Sequence, residues 1–214
     1  MHRIIALVCL VISVAACTNP NDLDEAPAPL GDFALGHNVV VTPNITKGPA
    51  SRDASDEEWI AAMTSAIDER FSRYEGDKLY HIGISIEGYV LAVPGVPLVA
   101  SPKSALILNA TVWDDAAGKK LNEKPEQITV IESFSGETML GSGLTQSKED
   151  QMRNLSRNAA KLIQNWMVRQ KYQEDWFGGT EADRRLRAEA RAEAKAAKAA
   201  SEAAEADAEL PEEG

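Results

Sequence analysis

Few side chains in this 214-residue chain are of a type and spacing that could do chemistry. Gly141-Ser142-Gly143 sets a serine between glycines, but it lacks the second flanking residue of a G-x-S-x-G nucleophile elbow and reads as a turn before a helix. His81 falls on the polar side of an alternating run, where a surface histidine is the simpler reading than a general base. The adjacent acids Asp114-Asp115 and Glu149-Asp150 suit turn and helix-cap roles. No P-loop, dinucleotide fingerprint or His-x-x-x-His pair occurs. No residue is assigned to catalysis and no cofactor is expected. The side chain with the clearest chemistry is a thiol, Cys17, because of what precedes it.

Residues 4–17 read Ile-Ile-Ala-Leu-Val-Cys-Leu-Val-Ile-Ser-Val-Ala-Ala-Cys, behind Met1-His2-Arg3. A positive start, a short apolar run and small residues before a cut make a secretory signal peptide over 1–16. The run is shorter than the roughly 20 apolar residues that span a bilayer. Val14-Ala15-Ala16-Cys17 resembles the lipobox of bacterial lipoproteins, with polar Thr18-Asn19-Pro20-Asn21 following. That resemblance implies a thioether-linked diacylglycerol on Cys17, an amide-linked acyl chain on its new N-terminus, and stable anchoring by more than one chain. Thr18 after the cysteine, where an aspartate would imply inner-membrane retention, fits the periplasmic face of the outer membrane.

Cleavage before Cys17 removes Cys9, and acylation occupies Cys17, so no disulfide is available. With no thiol and only His37 and His81 remaining, no zinc site is evident. The chain carries a net charge of −11. Loss of Arg3 leaves 21 basic against 33 acidic residues, or −12. Such a surface repels nucleic acid and anionic headgroups, so the acyl chains must supply the membrane attachment.

The elements that position these residues follow from periodicity. Residues 17–36, rich in Asn, Asp, Pro and Ala, read as a lipidated flexible tether. Val39-Val40-Val41-Thr42 reads as a first strand, within 37–43. Ser55-Asp56-Glu57-Glu58 resembles a capping box, and Trp59, Ile60, Met63, Ile67, Phe71 and Tyr74 form a helical stripe ended by Gly76, with Arg70 and Arg73 largely off the stripe. Ile82, Ile84 and Ile86 alternate with polar positions in a strand over 79–93. Strands follow over 104–114 and 127–134, joined by a turn at 115–118. Ser147 caps a second helix with the stripe Met152, Leu155, Ala159, Leu162, Ile163, Trp166 and Met167. The order β-α-β-β-β-α predicts an α+β domain over 37–177: a two-layer sandwich, an antiparallel meander covered on one face by two helices.

Two stretches stand outside that plan. The loop over 93–102 carries Val93, Val96, Leu98 and Val99 among three prolines, which exclude a central strand. It reads either as a lid closing the open sheet face near Ile107 and Trp113, or as a stiff apolar tip that binds a partner. Residues 178–214 form an Ala-rich charged tail that reads as a solvated helix of roughly 40 Å, ending in disorder. A sharper reading makes it an arm touching the cell wall or a partner.

The β-α-β-β-β-α order behind a lipobox is similar to that of small envelope lipoproteins that serve larger machines. Examples are the lipopolysaccharide-assembly lipoprotein that plugs an outer-membrane barrel and the auxiliary lipoproteins of ABC-type lipid transporters. The acidic surface and long tail depart from the barrel plug. The resemblance implies a periplasm-facing, non-enzymatic binding or assembly accessory, with an outer-membrane or transporter protein as partner. The rivals are a structural spacer whose tail contacts the cell wall and an envelope hydrolase with an unrecognised site.

Overall fold

The computed structural model describes residues 20–93, 104–131 and 147–178, together with Arg185, Glu189, Ala192, Glu193, Lys195, Ala196 and Lys198. Eight elements make up the domain: β1 (Ala34–Val41), β2 (Thr46–Lys47), α1 (Asp56–Phe71), β3 (Leu79–Val90), β4 (Ala105–Asp114), β5 (Lys119–Lys120), β6 (Glu126–Ile131) and α2 (Lys148–Glu174). This is the expected α+β fold, one six-stranded sheet with two helices on it, its short strands β2 and β5 being ones that the sequence pattern did not announce.

The local signals explain the elements. At the start of α1, the Ser55 hydroxyl accepts from the Glu58 amide while Glu58 accepts from the Ser55 amide, satisfying two otherwise orphaned donors. At α2, the Ser147 hydroxyl accepts from the Asp150 amide. Asp175 (φ 64°) ends α2 in the left-handed conformation. Along β3 the strict alternation holds: Ile82, Ile84 and Ile86 are buried under the helices. Leu106, Leu108, Ala110 and Val112 do the same on β4, and Ile128 and Val130 on β6. Trp59, Met63, Ile67 and Phe71 from α1 and Leu155, Ala159, Ile163 and Met167 from α2 complete the core. Each of the larger side chains among these contributes about 1.5–3 kcal/mol by leaving water.

Four features differ from the expectation. First, the sheet is mixed. β3, β4 and β6 form the antiparallel meander, but β1 pairs with β3 in parallel, Val40 opposite Ile84. A strand that reaches its neighbour through a helix returns in the same direction.

Second, the stretch expected as a free tether is packed from Pro20 onward. Residues 22–24 form a single 3-10 turn, and Leu30 and Phe33 are buried. The first strand then starts at Ala34, three residues earlier than expected. Composition hid this because two apolar side chains, the Asp22 carboxylate and a row of carbonyls do the docking.

Third, Arg70 is 2% exposed, inside the seam between α1 and α2, although a cation was expected outside the apolar stripe. It lies there because its hydrogen-bonding capacity is met. It donates to Gln164 Oε1 on α2 (3.0 Å), to the Pro20 carbonyl (2.8 Å) and to the Asp22 carboxylate (2.9 Å).

Fourth, α1 stops at Phe71, before Gly76. Gly76 is required for another reason: a Cβ there would lie 2.4 Å from the Phe33 nitrogen and 2.6 Å from its carbonyl oxygen. The backbones of 76 and 33 approach that closely, and the Gly76 amide donates to the Phe33 carbonyl (3.0 Å).

Phe33 centres an aromatic cluster at this end of the domain. Its ring lies 5.6 Å from Tyr80, 5.4 Å from Tyr74 and 5.2 Å from Phe177. Trp176 and Phe177 are buried and close the domain as expected. The described tail residues are helical and exposed.

Candidate functional site

The strand alternation that buries one face of the sheet must present the other. Both helices pack on the core face, so the opposite face is left open among the described residues. Its centre is made of small and polar side chains. Ser85 pairs with Asn109 and Gly83 with Thr111. A Cβ on Gly83 would meet nothing closer than 3.8 Å, so the middle of the strip is shallow and free. Larger apolar groups border it: Val39 and Val41 on β1, Ile107 on β4, Ile131 on β6 and Trp113 near the far end. Val39 is 54% and Ile131 56% exposed, well beyond what a core position would show. Lys120 stands over the Trp113 ring at 5.6 Å. The face therefore sets exposed apolar side chains around a small, polar centre.

The sequence-derived site residues are placed as follows. Val93 is half-buried just past β3. The stems of its loop are locked to the domain. The Ala92 amide donates to the Ser104 hydroxyl (3.2 Å), and Gln151 on α2 donates to the Ala92 carbonyl (3.2 Å). Leu91 and Ser104 are fully buried. Val96, Leu98 and Val99 lie outside the described residues, as do Cys17 and the Gly141-Ser142-Gly143 turn.

His81 sits on the open face, as the alternation required, but it is not idle. Its Nδ1 accepts from the His37 amide (2.8 Å), and its Nε2 meets the Asp115 carboxylate (2.9 Å). The His37 ring stacks on it at 4.8 Å. Accepting at Nδ1 places the proton on Nε2, which donates to Asp115. Both ring nitrogens are thus engaged in tying β1 to the β4 turn. Among the described residues, no group of three or more His, Cys, Asp and Glu side chains could hold a metal ion. Asp114 accepts from the Ala117 amide (2.9 Å), which is the turn role expected of it.

An open cleft of about 860 Å³ lies between the β4 turn and the end of α2. Lys78, Lys119 and Lys120 line it together with Asp114, Glu174 and Asp175, so its charges cancel and it selects for neither sign.

The most connected polar cluster was invisible to the sequence pattern. Asp22 takes hydrogen bonds from Arg70 on α1 (2.9 Å) and from Lys161 on α2. Its carboxylate is 19% exposed. Burial pushes its pKa up, but the hydrogen bonds and charges of Lys161 and Arg70 outweigh that and hold it below the ordinary carboxylate value. Gln164 joins the cluster to the Tyr74 hydroxyl (2.6 Å), which donates to the Ala28 carbonyl (2.7 Å). Arg73 donates to the Glu25 carbonyl and Lys171 to the Pro29 carbonyl. The one available signal was the arginine at position 70, three residues after Ile67 and next to Phe71.

No protein-family model and no curated protein matches this chain. Among solved structures it is similar to a protein of family DUF330 from Xanthomonas campestris, at 11% identity and TM-score 0.41, covering 70% of this chain and 94% of that one. It is also similar to a Caulobacter crescentus protein provisionally named a lipoprotein, at 10% identity and TM-score 0.35, covering 76% and 100%. A third is a minor lipoprotein from Acinetobacter baumannii, at 14% identity and TM-score 0.26, covering 60% and 92%. The functional reading rests on this chain's own residues.

Proposed function

We propose that this protein is a lipid-anchored lipoprotein of the bacterial envelope that works as a non-enzymatic binding or assembly accessory. Residues Val14-Ala15-Ala16-Cys17 support the anchor, and Thr18 supports the outer membrane as its location. The observation that carries the role is the sheet face that no other described residues cover, where Val39, Val41, Ile107, Trp113 and Ile131 surround a small, polar centre. The partner is a protein of the outer membrane or of a transporter. The engagement of both His81 nitrogens supports a binding role over an enzymatic one.

Two measurements test this. Intact mass of the membrane-extracted protein should show acylation that disappears in Cys17→Ala. Crosslinked affinity capture from membranes should recover one discrete envelope protein. That capture should be lost in the pair Val39→Ser, Ile107→Ser with the melting temperature nearly unchanged. Capture that survives this pair but is lost in Val96→Ser, Leu98→Ser would move the binding surface to the 93–102 loop. A large loss of stability in that second pair would make the loop a lid. The exposed helical residues of the tail favour a second reading, a spacer reaching the cell wall. Deleting residues 180–214 would then abolish cell-wall association while leaving protein capture intact.

A further inference from the structure

We infer that the helical side of the domain is held against the lipid headgroups, and that the open sheet face is turned away from the membrane. The inference rests on the lipid anchor at Cys17 proposed above. Its physical content is the length of the leash. The Pro20 carbonyl and the Asp22 carboxylate both accept from Arg70, and Asp22 also accepts from Lys161. Asp22 thereby bridges α1 and α2 and fastens the chain to the helical layer, near the end of α1 and the middle of α2. From Cys17 to Pro20 is three residues, at most about 11 Å even when fully extended. A helix on a sheet is about 20 Å thick from its outer surface to the far face of the strands. The leash cannot reach around that thickness, so the sheet face cannot lie on the bilayer that holds Cys17.

Charge does not set this orientation. On the helical side Arg157 pairs with Glu69, Arg153 with Asp150 and Lys161 with Asp22. With these three cations paired, the same side should face neutral and anionic bilayers alike. The occupant of the helical face is the bilayer itself. The occupant of the sheet face must come from the aqueous side or from a membrane protein that projects beyond the headgroups by at least the thickness of the domain.

The test uses the acylated full-length protein on phosphatidylcholine vesicles whose headgroups carry an energy-transfer acceptor. A donor dye is placed on Ser72→Cys, exposed at the end of α1, or on Thr129→Cys, exposed on the sheet face of β6. Transfer at Ser72 should exceed that at Thr129 by about twofold or more, given a layer of about 20 Å. Inserting about 30 Gly/Ser residues before Pro20, with a mean span of about 30 Å, should abolish the difference. Equal transfer at the two positions overturns the inference while leaving the anchor intact. A difference that survives the insertion also overturns it, because the leash would not be the cause. Failure to sediment with vesicles removes the anchor, and the inference with it.

Discussion

The clamp at Asp22 can be broken with one substitution, Asp22→Ala. The variant removes a charge-assisted hydrogen bond from Arg70 and another from Lys161. Taking one partner from a fully buried ion pair costs about 3–5 kcal/mol, because the remaining charge is stranded. Here the cost is smaller for two reasons. Asp22 is 19% exposed, and Arg70 keeps Gln164 and the Pro20 carbonyl as acceptors. The segment can also peel away and let water reach Arg70, which caps the loss. About 2 kcal/mol is expected, a fall in melting temperature of about 6–8 °C for a domain of this size. The folded-state pKa of Asp22 lies below its unfolded value, so this stabilisation is present above the unfolded pKa of about 3.9 and is lost as pH falls through the folded value. The gap between wild type and variant should therefore close as the pH drops below about 4. Circular dichroism melts over that range measure it, and limited proteolysis near residues 24–26 reports the peeling. A loss under about 0.5 kcal/mol, with unchanged proteolysis, would refute the clamp and the orientation argued from it.

Three further outcomes follow from the packing. Gly76→Ala places a methyl 2.4 Å from the Phe33 nitrogen and should cost about 3 kcal/mol or prevent folding, as read by urea unfolding. Ser55→Ala and Ser147→Ala should each cost about 1 kcal/mol through the lost helix cap, measured in the same way, and the double variant should depart from additivity because Lys148 beside the second cap pairs with Glu58 of the first. Burial, with the nearby charges of Asp114 and Asp32, pushes the Tyr80 phenol up to about 12. Its neutral form therefore stabilises the fold below the unfolded pKa of about 10, and that contribution disappears as pH rises toward 12. Phenolate absorbance in a Tyr80→Phe comparison should show one tyrosine ionising late, coincident with alkaline unfolding.

Features governed by near neighbours were legible. The Ser55 capping box, the β3 alternation and the position of His81 on the open face needed only residues within a turn or a strand of one another. The Asp115–Gly118 turn was likewise local, with Gly118 at φ 59°. Features set by distant partners were not. Arg70 looked like a solvent-facing cation because its acceptors lie 48 residues before it and 94 after it. Gly76 looked like a helix stop because the Phe33 backbone that presses on it is far away in the chain. The tether looked free because its docking uses carbonyls, which no composition reveals, and one aspartate whose cationic partners lie far along the chain.

By itself the sequence determined the class of the fold and the order of its longer strands and helices, because periodicity and caps are local and survive without context. Only the tertiary structure decided that β1 joins in parallel, that the chain is bound to the helices from Pro20, and that Val39 and Val41 stay in water. Those outcomes depend on which surfaces the two helices occupy. A helix can cover only one face of a sheet, and the face it leaves open is a property of the assembled layers rather than of any stretch of residues.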